Sequence, residues 1–388
     1  MKRLLGAIAD YIRETDKILL GLCTALSLFG CVEVYSASRA FFGDGARQFW
    51  VQFISTMVGL AAAIFVSIID YRKICRFWLP ILIVCAGLIA TTYFIGFNPG
   101  DSLVDNNRAW IRLPVGGLTL QPSEIVKIGF IISFAKHISW VTARADHIRP
   151  LGALALAAHG LAPVLLIHFV QGDDGTAVVF AGIFLFMMAA AGVKLRYFLI
   201  GGLLTAGIAP LIWYRVMNNY QRDRFRVILD WTLDPKTFGY QQLHARITVA
   251  SGGLTGAGVL RGPHVQQPSF IPEGYNDFIF ASTAEEWGFL GCVAVLAAVA
   301  GICVKILRNA AKALDTLGTM LCVGVFAEIA MQTVINVGMN LSVLPVIGVT
   351  MPFMSAGGTS IFCLYLGIGL ATSVYMHRHE RTIYLRGV

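Results

Sequence analysis

Long apolar runs alternate with short polar stretches along most of the chain. The runs cover residues 17–38, 49–70, 77–97, 122–140, 151–170, 175–193, 197–217, 278–304, 316–341 and 359–376. A helix needs about 20 predominantly apolar residues to cross a bilayer. The pattern therefore predicts an all-α polytopic integral membrane protein with about ten transmembrane helices. We expect one membrane domain over residues 1–388.

Composition agrees with this pattern. Of 388 residues, 56% are hydrophobic and 13% are charged, whereas soluble proteins carry about a quarter charged residues. The eight cysteines fall in or beside apolar runs without metal-ligand spacing, so we interpret them as small buried hydrophobes. The net charge of +8 is accompanied by no nucleic-acid-binding motif, so we expect no nucleic-acid partner.

Lysine and arginine are enriched in alternate connections, which predicts the orientation by the positive-inside rule. The N-terminal segment 1–16 and the tail 377–388 are then cytoplasmic, and the two long connections 98–121 and 218–277 lie outside. The second of these is a large extracytoplasmic loop between spans seven and eight. It carries a basic cluster that includes Arg224, which suggests an anionic partner.

An ionisable pair enters the fourth predicted span. Pro122 suits a first helical turn, so Glu124 and Lys127 stand on one helix face at i, i+3 spacing. Charges inside a membrane helix either satisfy each other or face a polar cavity. Because such charges are rare, we favour a functional cavity over a structural ion pair.

Two glycine-containing segments leave alternatives open. The segment 171–176, QGDDGT, is an ordinary turn by composition, although Asp173 could instead hold a metal ion or pair with Lys127. The run 251–258, SGGLTGAG, lacks the ending of a phosphate-binding P-loop. Its small residues permit either close approach of a helix or lipid, or a flexible loop.

Asp277 is the strongest single candidate for chemistry. It lies in PEGYNDFIF, where a polar loop meets an apolar span. A low dielectric raises the pKa of a carboxylate and makes it a better proton acceptor near neutral pH. Helix capping is the competing interpretation, because aspartate is a common N-cap.

The last polar features lie near the C-terminus. Gln332 and Asn336 are four positions apart on the ninth span, and residues 345–360 read PVIGVTMPFMSAGGTS. Two prolines and three glycines at membrane depth predict a re-entrant or cavity-lining segment before the last span. Ser355 and Gly357 would then face polar space.

Six stretches in order resemble the SEDS family, which contains RodA, FtsW and SpoVE. They are NRAWIRL with QPSEIVK, QGDDGTA, YQRDRF, SGGLTGAG, PEGYNDFIFASTAEEWG, and NVGMNLSVLPVIGVTMPFMSAGGTS. The resemblance implies a peptidoglycan glycosyltransferase of the bacterial cytoplasmic membrane that polymerises lipid II at the outer leaflet. It also implies a class B penicillin-binding protein as partner, together with other membrane proteins of the elongation or division machinery.

The same resemblance implies roles for particular residues. Asp277 matches the family's essential aspartate and is the expected catalytic base. The expected substrate-binding residues are Glu124, Lys127, Asp173, Arg108, Gln121, Ser123, Arg224, Glu273 and Ser355. No built-in cofactor is expected. The pyrophosphate would be neutralised by basic side chains or by a recruited divalent cation, Mg²⁺ or Mn²⁺.

Three departures from the family pattern blur the branch to which the chain belongs. Ala109 separates Arg108 from the tryptophan, Tyr275 and Asn276 stand where the family has His-Thr, and Gly172 replaces a proline. Two other functions remain open at this level. A lipid II flippase would also contain intramembrane charge and broken helices, and a non-catalytic scaffold would not need the polar cavity residues.

Overall fold

A computed structural model describes residues 11–43, 45–98, 107–112, 119–145, 149–233, 238–267, 270–271 and 273–379. Within these ranges the helices are α1 (Lys17–Phe42), α2 (Ala46–Ile68), α3 (Tyr71–Arg76), α4 (Trp78–Ile95), α5 (Pro122–Ala143), α6 (Pro150–Leu166), α7 (Asp174–Ala190), α8 (Leu195–Leu211), α9 (Asn219–Leu229), α10 (Phe238–Ser251), α11 (Ile279–Ala311), α12 (Thr316–Asn340) and α13 (Gly358–Met376). Strands β1 (Ile111–Arg112) and β2 (Thr119–Leu120) form a short antiparallel pair.

The predicted fold class is confirmed. In the described part of the chain, nine helical segments are long and apolar enough to cross a bilayer, and the shorter α7 is also apolar. These ten helices correspond to the ten apolar runs. The protein is therefore a multi-pass membrane protein, and Asp277, α5's first turn and the start of α7 share one end of the bundle.

The centre of the bundle is formed by α5, α12 and α13. About two thirds or more of the apolar part of each is buried, at 67%, 72% and 67%. Small residues permit this packing: a Cβ on Gly324 of α12 would lie 2.6 Å from the side chain of Ile131 on α5. By contrast, α8 has no buried residue, so lipid rather than protein surrounds most of it.

The large loop between α8 and α11 has structure of its own, in α9 and α10. It is attached to the bundle through α10, because Gln242 donates a hydrogen bond to the carbonyl oxygen of Leu344 at 3.2 Å. Ser342 donates in turn to the carbonyl oxygen of Gln242 at 3.3 Å. The loop is thus held against residues 341–357, which connect α12 to α13.

That connection contains no helix over residues 341–357, as its prolines and glycines predicted. Its first part is exposed at Leu341 and Val343, but residues 351–355 are buried in protein, with Phe353 and Met354 fully covered and Met351 1% exposed. Irregular backbone at membrane depth is tolerated under this condition.

The glycine run packs tightly against a break in α11. Gly288 has φ 67° and ψ −168°, which interrupts the helix. A Cβ on Gly252 would lie 1.8 Å from the carbonyl oxygen of Ala284, so only glycine fits there. The backbone amides of Ala257 and Gly258 donate to the carbonyl oxygens of Glu285 and Glu286 at 2.9 Å each. Of the two open interpretations, close approach to a helix is the one observed.

The two glutamates beside this break hold the same loop with their side chains. Glu285 is fully buried and accepts hydrogen bonds from the amides of His264 and Val265 at 3.0 and 2.7 Å. Glu286 accepts one from the amide of Leu260 at 3.2 Å. Their described contacts are therefore structural.

Candidate active site

Asp277 lies in the last turn of the outer loop, immediately before α11. Its carbonyl oxygen accepts hydrogen bonds from the side-chain amides of Asn336 at 2.8 Å and Asn340 at 3.1 Å. Its carboxylate lies beside Gly348, where a Cβ would be 3.5 Å from Oδ2. The N-cap of α11 is Phe278, without a side-chain capping bond. Asp277 therefore does not cap this helix, and the competing interpretation is not supported.

The surroundings of Asp277 make it a stronger base than a solvated aspartate. Loss of hydration raises the pKa of Asp277 to about 7, and the nearby negative charges of Glu273 and Asp173 act in the same direction. A pKa near the working pH suits general base catalysis. Burial also raises the pKa of Glu273. The backbone of Glu273 has a left-handed φ of 60°, and its carbonyl oxygen accepts a hydrogen bond from the amide of Asn276.

Asp173 forms the N-cap of α7. Its Oδ1 accepts the backbone amide of Thr176 at 2.9 Å, and its Oδ2 accepts the Thr176 hydroxyl at 2.8 Å and the Gln121 side-chain amide at 3.0 Å. Burial raises the pKa of Asp173. The suggested pair between Asp173 and Lys127 is not observed, because Lys127 has other partners.

Lys127 sits between two glutamates in the core. Its Nζ lies 2.9 Å from Oε1 of Glu124 and 3.5 Å from Oε1 of Glu328, and all three side chains are at most 6% exposed. The prediction that Glu124 and Lys127 share a helix face is confirmed. Glu328, on α12, was not predicted to join them. Two carboxylates against one ammonium leave this buried group with an excess of acid.

Several buried polar atoms near these residues lack a hydrogen-bond partner among the described residues. They are the Ser123 hydroxyl, Oε2 of Glu124, Oε1 of Gln332 and both amide atoms of Gln171. Buried polar groups are nearly always satisfied, if not by protein then by water or ligand. Water or ligand is left to satisfy these atoms, so a functional cavity around Lys127 stays a prediction beside the observed ion pair.

A cavity of about 550 Å³ opens beside residues 273–278, the Asp277 loop. Its lining includes Gln121, the residue that binds Asp173, and Asn276, the neighbour of Asp277. One wall is α2, which contributes Arg47 together with apolar side chains such as Val58. A mixed lining of this kind suits a ligand with a polar head and an apolar tail. This wall was not anticipated from the sequence.

The remaining predicted residues occupy varied positions. The backbone amide of Arg108 donates to the carbonyl oxygen of Gln171 at 2.7 Å, and its side chain is exposed. Arg224 is half-buried on α9, one turn before Val227, which belongs to a buried cluster with Phe278. Arg224 is thus near the Asp277 loop, whereas Arg108 lies beside Gln171. Substrate binding by either stays a prediction.

Ser355 differs from its expected environment. The side chain is not directed to polar space but is 3% exposed. Its hydroxyl donates to the carbonyl oxygen of Asn276 at 2.7 Å and accepts the amide of Met351 at 2.7 Å. Both the donor and the acceptor of the Ser355 hydroxyl are used by backbone groups. Ser355 therefore links the connection before α13 to the Asp277 loop.

Four polar residues of α12 follow a simple pattern. Glu328, Gln332, Asn336 and Asn340 recur every four residues along α12, and this spacing places them on one helix face. The sequence analysis singled out Gln332 and Asn336, and it missed Glu328 and Asn340. In the part of the chain that the structure describes, no group of three or more His, Cys, Asp or Glu side chains is arranged as a metal site.

Comparison with known proteins agrees with this geometry. The family profile of the FtsW, RodA and SpoVE cell cycle proteins matches residues 16–380. The chain belongs to this family. The expected resemblance is confirmed.

Relatives align over nearly their whole length. One is the probable peptidoglycan glycosyltransferase FtsW of Geobacter metallireducens, 32% identical over 94% of this chain and 95% of its own. Another is the peptidoglycan glycosyltransferase MrdB of Escherichia coli K12, 31% identical over 94% of each chain.

Solved structures share the fold. A chain of a peptidoglycan synthase complex that coordinates polymerization and crosslinking superposes with a TM-score of 0.78 at 25% identity, covering 94% of this chain and 99% of the other. RodA of Thermus thermophilus superposes with a TM-score of 0.67 at 22% identity, covering 94% and 98%.

Proposed function

We propose that this protein is a peptidoglycan glycosyltransferase that polymerises lipid II into glycan strands at the outer face of the bacterial cytoplasmic membrane. Relatives named for this activity are about 31% identical over most of the chain. The observation that carries the proposal is Asp277, a carboxylate with a pKa of about 7 beside a cavity with polar and apolar walls.

In this mechanism Asp277 is the general base. The 4-hydroxyl of one lipid II sugar attacks the anomeric carbon of a second chain, and its proton passes to the Asp277 carboxylate. A glycosidic C–O bond forms as the bond to the undecaprenyl pyrophosphate breaks, with inversion at the anomeric carbon. Asn336 and Asn340 hold the backbone of the base, which keeps its carboxylate in place.

The departing pyrophosphate requires positive charge. Arg47 lines the cavity, Arg224 lies on α9 near the Asp277 loop, and Arg108 lies beside Gln171. A recruited Mg²⁺ or Mn²⁺ is the alternative. Such an ion commonly uses one or two carboxylates together with substrate phosphates, and Glu273 would supply one of these while Asp277 acts as the base. We therefore expect the pyrophosphate to lie on the side of the Asp277 loop that faces the cavity.

The lipid tail of the substrate is accommodated by the α2 side of the cavity. Ile54 and Val58, which contribute to this wall, are 56% and 51% exposed on the bundle surface. Exposed apolar residues on a membrane helix face lipid. A substrate can then enter sideways while its sugar reaches Asp277.

A class B penicillin-binding protein is the proposed partner. Support comes from the structural similarity to a chain of a complex in which polymerization and crosslinking are coordinated. A partner that crosslinks the new strand must lie on the same side of the membrane as Asp277. Other membrane proteins of the elongation or division machinery are further expected partners.

Reconstitution with purified lipid II tests the activity directly. We expect the protein in detergent, with its class B partner, to produce glycan polymer. Asp277→Asn should reduce this at least 100-fold, the lower limit of the range of about 10²–10⁴ for a general base. Asp230→Asn is the matched control, because Asp230 lies in the same loop and its side chain bonds, among the described residues, only to Thr232. Normal polymer from Asp277→Asn would reject the role of the base.

The same assay separates the two rival functions. A flippase is favoured by the broken α11 and the buried charges of the Lys127 group, but detergent offers no second leaflet, so a flippase would yield no polymer. A scaffold would restore polymer synthesis by its partner equally well with Asp277 intact or replaced.

Orientation is tested by cysteine labelling. Seven of the eight native cysteines are buried and the eighth is partly covered, so background labelling is low. Thr232→Cys, in the exposed turn after α9, should react with an impermeant maleimide added outside cells. Arg308→Cys, near the other end of α11, should react only after lysis. The reverse labelling pattern would place Asp277 on the cytoplasmic side of the membrane and contradict the proposal.

A further inference from the structure

A second cavity lies at the opposite end of the bundle from Asp277. It has a volume of about 380 Å³, within the usual range for ligand sites, and is lined by Trp78, Leu82, Lys136, His137, Trp140 and His159. Lys136 is 14 residues after Pro122 on α5, which places it about 21 Å along the helix from the catalytic end. This cavity therefore faces the other leaflet.

The cavity begins beyond a close contact between helices. A Cβ on Gly129 of α5 would lie 2.2 Å from Sγ of Cys85 on α4, so the two helices touch there. Leu82 and Trp78 lie one and two turns before Cys85, and Lys136 lies two turns after Gly129. The space between α4 and α5 is thus closed toward Asp277 and available from the other end.

Lys136 supplies a positive charge without a partner. It is half-buried and makes no ion pair or hydrogen bond with any residue that the structure describes. Charged side chains in membrane helices are generally paired. An anion in the cavity would supply the missing partner.

The histidine pair forms the polar floor. Nδ1 of His137 and Nδ1 of His159 share a hydrogen bond of 3.0 Å, and Nε2 of His159 lies 3.4 Å from the Ser133 hydroxyl. These contacts use His159 fully. Nε2 of His137 remains to bind a ligand, because its only described hydrogen bond is through Nδ1.

The rim has the composition of a membrane interface. Trp140 is 57% exposed, and the guanidinium of Arg144, one turn further, stacks 4.1 Å from its ring. Arg76 is exposed two residues before Trp78. Tryptophan with basic side chains is typical of the level of lipid headgroups.

We propose that this cavity binds an anionic glycerophospholipid of the leaflet opposite Asp277. The headgroup phosphate would pair with Lys136 and accept a hydrogen bond from His137. The upper part of an acyl chain would lie against Leu82 and Trp78. The site is separate from the catalytic cavity and does not depend on the glycosyltransferase activity.

Native mass spectrometry of the delipidated full chain tests this proposal. With equimolar phosphatidylglycerol and phosphatidylcholine, we expect the wild type to retain the anionic lipid about fivefold better, as for one lysine at a lipid phosphate. Lys136→Gln should abolish the preference and Lys136→Arg should keep it. Lys312→Gln is the matched control, because Lys312 is exposed at the same end of the bundle.

A second variant tests the cavity itself. Leu82→Trp fills the space while leaving Lys136 in place, so it should reduce retention of phosphatidylglycerol without lowering the melting temperature. An unchanged preference in Lys136→Gln would overturn the proposal. Displacement of the bound phospholipid by undecaprenyl pyrophosphate would also overturn it, because the occupant would then be a polyprenyl lipid.

Discussion

The side-chain amide of Asn336 donates to the carbonyl oxygen of Asp277 at 2.8 Å and to that of Val349 at 2.7 Å. One residue of α12 thus fixes both the Asp277 loop and the irregular connection that covers it. Asn340 adds a second hydrogen bond to Asp277, at 3.1 Å. Asp277 is positioned through its backbone, which leaves its carboxylate available.

Replacing Asn336 should therefore impair catalysis more than folding. Asn336→Ala removes the bond to the Val349 carbonyl, at a cost of about 1–3 kcal/mol, and leaves the Asp277 carbonyl with only its bond from Asn340, which loosens the Asp277 loop. We expect a 10-fold or greater loss of kcat for polymer formation, with KM for lipid II little changed. The matched control is Asn309→Ala, which removes an equally buried amide that binds Asp16 at the far end of α11. Equal activity losses in both variants would contradict a positioning role.

The rate should depend on pH through Asp277. A base acts only when ionised, so polymer formation should fall tenfold per pH unit below about 7, the pKa of this carboxyl. The measurement is kcat/KM for lipid II between pH 5 and 9. A limb near the pKa of a solvated aspartate would show that Asp277 is not desolvated.

The stability of the folded protein should also depend on the ionisation of Asp277, but it should fall as pH rises. The pKa of Asp277 is raised in the folded state, so its contribution is present at low pH and is lost as pH rises through about 7. Asp277→Asn removes this loss. We expect the variant to melt above the wild type at pH 8 and to approach it at pH 5, as measured by thermal denaturation in detergent.

The Lys127 group offers a test of buried charge. Lys127→Met leaves Glu124 and Glu328 without their shared cation, and breaking a buried pair costs about 3–5 kcal/mol. We expect a large drop in melting temperature. Adding Glu328→Gln should recover part of it, because one uncompensated carboxylate is removed. No recovery in the double variant would mean that the two residues are not coupled.

The glycine run should be intolerant of any side chain where it meets α11. Gly252→Ala places a Cβ 1.8 Å from the carbonyl oxygen of Ala284, so we expect strong destabilisation and loss of folded protein on size-exclusion chromatography. Gly201→Ala is the control: nothing lies within 4 Å of its Cβ position on α8. Alanine there should be neutral or slightly stabilising.

The helices and part of the site followed from local pattern. Apolar runs predicted the ten membrane helices, and the spacing of Glu124 and Lys127 predicted their contact because helix geometry fixes it. Glu328 could have been found as the first member of a four-residue repeat on α12. The sequence alone could not indicate which distant helix this face would meet.

Other features depend on contacts between distant segments. The partner of the glycine run is the break at Gly288, more than thirty residues away from Gly252. The α2 wall of the catalytic cavity and the buried position of Ser355 likewise arise from packing. Local propensity carries no information about these pairings, which is why Ser355 was expected in polar space.

The break in α11 limits where the protein can be engineered. Amides of Ala257 and Gly258 satisfy carbonyls that the interrupted helix leaves without partners, so a tag inserted within residues 252–258 would expose them at membrane depth. The turn at Trp231–Leu233 follows α9 and has an exposed Leu233 at 56%. An epitope or fluorophore placed there would report on the outer loop without removing the backbone support of α11.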